Sequence, residues 1–280
     1  MTDFRLLRVF NDPDLAAYAG VKARIGRNAL PHFPSESGSD RLVRELARER
    51  ALPVKEVTEA FEFFAVVRKY VRTPVVADLC AGHGLAGILF AVFERRTREV
   101  ILCDRRRPAH FDHVMRAAER AAPWIAGKVR FVEAPLKRSL PSLPPGCGVI
   151  GVHACGALTE TCLETAAELG GPVAVLPCCR PHGRSRAPMG LRRALGEDVA
   201  YDVQRTYEME ARGYRVRWRE IPAEITPMNR VLVAVPARRP GPRAQGKAER
   251  QSSQRSIPST GSAKAEVSAH DSVSQARKSS

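Results

Sequence analysis

Short, mostly apolar runs alternate along this chain with longer stretches whose apolar positions recur every three or four residues. The short runs, 75–79, 100–103, 129–132, 149–152 and 173–176, are rich in β-branched residues and bounded by turn formers. That pattern predicts strands buried on both faces of a parallel sheet. Between them, Leu85, Ile88, Leu89, Val92 and Phe93 recur at helical spacing, as do Phe111, Val114, Met115 and Ala118, and then Leu163, Ala166 and Leu169. Thr159 is expected to cap the last of these helices and Gly170-Gly171 to end it. A further helix is expected over 197–211, closing at Gly213, followed by an alternating strand over 214–221 and an apolar one over 231–235. Upstream, 40–51 and 54–71 read as helices, the second with Val57, Phe61, Phe64, Val67 and Val71 on one face. A short helix is expected within 14–23, and the rest of the first forty residues is irregular. Strand and helix in alternation give an α/β class.

The chemistry concentrates after the first strand. Gly82, Gly84 and Gly87 form G-x-G-x-x-G, and the next strand ends in Asp104. Glycines let the backbone pass close beneath a ligand and turn into a helix whose free N–H groups meet an anion. A carboxylate at the end of the second strand is placed to accept hydrogen bonds from ribose hydroxyls. The glycine spacing alone is a weak signal, but strand, turn, helix, strand and carboxylate in register are much stronger. The bland alternative is an αβ sandwich with an incidental glycine turn.

An acid inside the first strand separates two nucleotide readings. Asp78 opens the motif as D-x-x-x-G-x-G, which resembles motif I of class I S-adenosylmethionine-dependent methyltransferases. The resemblance implies a Rossmann-like fold, a seven-stranded mostly parallel sheet with helices on both faces, here behind a helical N-terminal extension. It implies that Asp78 reaches towards the methionine ammonium, that Cys80, Gly82 and Gly84 pass beneath the cofactor, and that Asp104 holds the ribose. It also implies Glu133 near the adenine, and His153 at the cofactor. One departure is Cys80, where many members have Gly.

Two His/Cys clusters follow adjacent strands: His153-Ala154-Cys155-Gly156 and Pro177-Cys178-Cys179-Arg180-Pro181-His182. In an open parallel sheet the carboxyl ends of strands are where ligands bind. Three readings compete. His153 or His182 acts as a base or orienter beside the cysteines. Cys155, Cys178, Cys179 and His182 hold zinc, against which stands the absence of any C-x-x-C pair. Or Cys178 and Cys155 perform covalent catalysis on a pyrimidine ring, as in 5-methylcytosine enzymes. Cys103 and Cys162 read as small buried hydrophobes. H-A-C-G and P-C-C together are similar to a methyltransferase subgroup that includes tRNA ribose 2′-O-methyltransferases of the acceptor stem and a domain fused to a glutathione-transferase-like domain. That resemblance spans 71–236. The Asn/Asp-Pro-Pro-Tyr loop of amino-group methyltransferases is missing after the fourth strand, and no zinc-finger segment stands ahead of the domain.

Charge shapes the expected partner. The formal net charge is +15, with nine Lys/Arg against three Asp/Glu over 237–280 and a surplus of +9 before it. A basic surface favours polyanions such as RNA by counterion release, or is simply solvated. The seven cysteines make an odd count at spacings unlike a disulfide framework, which suits a reducing cytoplasm. No apolar run is long enough to cross a bilayer, and M-T-D-F-R-L-L-R lacks the apolar region of a secretory signal. The expected organisation is a helical extension over 1–70 that either caps the scaffold or lids the substrate, a cofactor-binding domain over 71–236 and a disordered basic tail over 237–280. The expected function is methyl transfer from S-adenosylmethionine to RNA. A protein or small-molecule acceptor, or a non-catalytic basic RNA-binding protein, is the alternative.

Overall fold

A computed structural model describes residues 3–154, 156–177 and 187–237. The apolar runs become β1 (Val75–Leu79), β2 (Glu99–Asp104), β3 (Val129–Glu133), β4 (Gly148–Val152) and β5 (Val173–Leu176), with β6 (Tyr214–Glu220) and β7 (Arg230–Pro236) completing one sheet. Its order is β3-β2-β1-β4-β5-β7-β6. The first five strands are parallel, β7 lies antiparallel between β5 and β6, and β6 is an edge. This is the Rossmann-like methyltransferase arrangement that motif I implied. From β1 the chain winds outward through β2 and β3, then crosses back to place β4 on the other side of β1. That reversal opens a crevice at the carboxyl ends of β1 and β4.

Helices are α1 (Pro13–Ala16), α2 (Gly38–Glu49), α3 (Val54–Val67), α4 (Leu85–Phe93), α5 (His110–Ala121), α6 (Leu136–Ser139), α7 (Leu158–Leu169) and α8 (Met189–Ala211). Both sheet faces are covered, which is why the strands read as apolar runs rather than as alternation. On one face Val76, Val100, Leu102, Ile150, Leu176 and Val233 share a core with α2, α3, α4, α5 and the N-terminal Phe4, Leu7 and Phe10. On the other, Ala77, Leu79, Ile101, Val149 and Val175 pack with Cys162, Leu163 and Ala166 of α7 and Met209 of α8. Cys103 and Cys162 are fully buried in this second core, and burial pushes the Cys103 thiol up to about 11.

Several expectations need correction. Residues 14–23 form only α1 and a following 3-10 turn, Ala17–Gly20. The proline-rich segment between β3 and β4 is not all irregular: it contains α6 and a 3-10 turn, Leu140–Ser142. Thr159 does not cap α7: it lies one residue inside the helix, and its hydroxyl donates to the Ala154 carbonyl at 2.6 Å. α8 begins earlier than 197 because Gly196 (φ +77°, ψ 158°) joins two helical pieces across a break. No described helix is long and apolar enough to cross a membrane.

Candidate cofactor and active site

The crevice at the switch point is a cavity of about 640 Å³, in the size range of small-molecule sites. From β1 and the glycine turn it is lined by Asp78, Cys80, Ala81, Gly82 and His83, and from β4 by Val152 and His153. Two non-glycine residues on its wall, Cys80 (φ +65°) and His153 (φ +58°), take left-handed backbone as the chain leaves its strand. Gly84 (φ +77°) starts α4, and a Cβ there would stand 2.7 Å from Leu102. A Cβ on Gly87 would stand 2.5 Å from Leu102 and 3.1 Å from Asp78, so this glycine brings α4 against the strands.

Asp104 ends β2 and orders the turn. Its Oδ2 accepts the Gly82 N–H at 2.9 Å and its Oδ1 the Arg106 N–H at 3.3 Å. The parallel register sets Glu133 beside Asp104, at an exposed position. Asp78 is buried beneath the turn and accepts the Gly87 N–H at 3.0 Å. Burial pushes its carboxyl up to about 7, with the nearby Asp104 charge adding to the rise and the Gly87 bond opposing it. His83 is held down at about 4, chiefly by burial. Its Nδ1 accepts the Leu85 N–H at 3.1 Å while Nε2 faces Glu56 at 3.4 Å. Burial, with Glu59 nearby, raises the Glu56 carboxyl, and because His83 titrates near 4 its ring is neutral at pH 7, so this contact is not an ion pair.

The opposite wall is α3, which supplies Lys55, Glu56, Glu59 and Ala60, joined by Lys22. Glu59, 2% exposed, binds His153 Nε2 through its Oε2 and takes Lys55 Nζ on both oxygens at 3.1 Å. Sequence reasoning does not single out these groups. The available signal is Glu56, Glu59 and Glu62 at three-residue spacing within an otherwise apolar helix. The structure thus brings Asp78, Cys80, Gly82 and His153 to one cavity. Asp104 and Glu133 stand at the neighbouring strand ends, and Gly84 sits behind the turn at the start of α4. Cys155, Cys178, Cys179 and His182 lie outside the described residues.

Residues 54–183 match the family model described as a methyltransferase domain. That stretch of the chain is a methyltransferase domain. Its strand order and its acid-glycine turn agree with that family, and its cofactor is S-adenosylmethionine. The residues fit this group: a cavity of suitable size, a glycine turn open at Gly82 where no atom would meet a Cβ, and the Asp104 carboxylate with lone pairs to spare for a diol. Comparison with curated proteins finds no match. Among solved structures, the chain is similar to a precorrin-6y C5,15-methyltransferase from Geobacter metallireducens, at 16% identity over 63% of this chain and 89% of that one, TM-score 0.42. It is similar to a tRNA methyltransferase from B. subtilis at 14% identity over 62% and 65%, TM-score 0.40. A Corynebacterium glutamicum protein aligns at 17% identity over 76% and 97%, TM-score 0.47.

Proposed function

We propose that this methyltransferase modifies an oxygen or nitrogen of RNA. The observation that carries the acceptor is charge: the chain has a net +15, of which +9 lies before residue 237. A polyanion is the partner such a surface favours. Support also comes from the sequence after β4 and β5, His153-Ala154-Cys155-Gly156 and Pro177-Cys178-Cys179, through its resemblance to tRNA ribose methyltransferases.

When bound, S-adenosylmethionine supplies an activated methyl on a sulfonium. In our reading the chain's own residues do the rest. Asp104 binds the ribose while holding the Gly82 turn, and the Asp78 carboxylate neutralises the ammonium. His153 faces the acceptor. As a carboxylate, Glu59 accepts the proton-bearing Nε2 of His153, which leaves Nδ1 as the lone-pair nitrogen that takes the acceptor's proton. Orientation of donor and acceptor supplies the larger part of the rate.

The test uses methyl-labelled S-adenosylmethionine with separate pools of total RNA, total protein and small metabolites. Label in RNA is expected, lost in His153→Ala while cofactor binding by calorimetry persists. Asp104→Ala should weaken cofactor binding by about 10- to 100-fold. Label in protein or metabolites alone would overturn the RNA assignment, and no label in any pool, with cofactor bound, would turn the reading towards a non-catalytic binder.

A further inference from the structure

The edge strand β6 reads Tyr214-Arg215-Val216-Arg217-Trp218-Arg219-Glu220, and the sheet divides its side chains by period two. Arg215, Arg217 and Arg219 pair in register with Val235, Val233 and Val231 of β7. On β7 those positions are covered by the helix-side core, but one strand further out the helical layer has ended. There Tyr70, just after α3, is the cover. Lys69 Nζ lies 4.9 Å from the Tyr70 ring centre, and the Arg219 and Arg217 guanidinium carbons lie at 5.4 and 5.9 Å. Arg219 also donates to the Tyr70 hydroxyl through Nε at 3.1 Å and Nη2 at 2.5 Å. Burial by itself pushes the Tyr70 phenol up, yet the hydrogen bonds from Arg219 and Lys69 and their charges bring the net shift down. Among the described residues none of Lys69, Arg215, Arg217 and Arg219 forms an ion pair with a carboxylate. Glu220 falls on the other face of the strand.

That other face is aromatic. Trp218 is 36% exposed and donates through Nε1 to Thr206 of α8 at 2.8 Å, and the neighbouring Tyr207 is 68% exposed. Trp218 also shares a crevice with Pro177, the residue that follows β5. Because β6 runs parallel to β5, its last residues lie on the same side of the sheet as the cofactor cavity.

We infer that the β6 edge is a docking track for single-stranded RNA, leading the acceptor strand to the methyl-transfer site. The inference rests on the RNA reading above. Arginines two residues apart in a strand recur about every 6.6 Å, a repeat commensurate with successive phosphates of an extended strand. The ring faces of Trp218 and Tyr207 offer stacking platforms, and cations with aromatics are the combination that single-strand binders use. A duplex has no free base faces to stack, and an anionic membrane would have no use for two aromatics standing on the face opposite the arginines.

The experiment is fluorescence anisotropy of the full chain with labelled single-stranded oligouridine across a salt series. The wild type should bind with a steep salt dependence. Arg217→Ser with Arg219→Ser should flatten the slope of log affinity against log salt by about 0.7 for each phosphate that is no longer neutralised. Trp218→Ala should weaken binding at least about fivefold with the slope unchanged. Arg217→Lys with Arg219→Lys should keep the slope, which separates loss of charge from misfolding. If wild-type protein binds but the serine pair and Trp218→Ala match it, the β6 track is wrong while the RNA reading stands. If duplex RNA binds as tightly as oligouridine, the single-strand assignment is wrong. If neither oligouridine nor total tRNA binds, the RNA reading falls and takes this inference with it.

Discussion

Cys80 leaves β1 with φ +65°, a conformation that costs a non-glycine residue about 1–2 kcal/mol. Many methyltransferases of this class carry glycine at this point, and the backbone explains the preference. Cys80→Gly is therefore expected to fold with stability within about 1 kcal/mol of wild type, relief of strain offsetting the freer unfolded chain. Cys80→Val places a β-branched residue at positive φ and should destabilise by about 2 kcal/mol or more. Urea unfolding of the two variants checks both. At this scale the turn that gathers Asp78, Gly82, Gly84 and Asp104 was legible because it rests on local spacing. His153 was legible as a residue type at a strand end, but its strained backbone and its Glu59 partner, 94 positions away, were not.

α3 shows what a helix conceals in sequence. Its apolar positions predicted one buried face, yet Glu59 and Glu62 are buried too. Glu62 accepts three backbone N–H groups, from Arg5 at 2.8 Å and from Leu6 and Leu7 at 3.0 Å each. One carboxylate thereby pins the N-terminal segment to the helix that walls the cavity. Glu62→Ala would strip partners from three donors, and a loss of about 3 kcal/mol or more is expected. Glu62→Gln, which keeps one acceptor oxygen, should lose less. Hydrogen exchange at residues 5–7 should speed up first in both, before the sheet amides respond. Unchanged exchange there would show that the apolar contacts of Phe4 and Leu7 hold the segment unaided.

For the molecule as a whole, Asp78 links stability to pH. Its carboxyl titrates near 7 when folded and near 3.8 when exposed, so the folded state binds the proton more tightly. The corresponding stabilisation is fully present below about pH 4 and is lost as pH rises through about 7, a difference of order 4 kcal/mol. Cofactor-free protein should accordingly lose stability between pH 4 and 7 in urea titrations, and Asp78→Asn should flatten that segment of the curve. Should the asparagine variant keep the full slope, another group sets it. In our reading of the site, a bound ammonium favours the ionised form, so cofactor binding below pH 7 should release a proton, measurable by calorimetry in buffers of differing ionisation enthalpy.

The α/β alternation, the five parallel strands, the glycine turn and the acid that ends β2 are written in short stretches of sequence. Each depends on neighbours within a few residues: apolar runs for doubly covered strands, glycine for left-handed backbone, a fixed interval across one βαβ unit. Tertiary structure decided what depends on distant segments meeting. It brought Lys55 and Glu59 of α3 to the far wall of the cavity, and it made β6 the edge at which arginines outrun their helical cover. It also withheld from Thr159 the capping role its position suggested, because the chain before α7 turns to offer the Ala154 carbonyl to its hydroxyl. Local patterns encode which face of an element is apolar. Which polar groups end up facing one another is set by the packing of the elements.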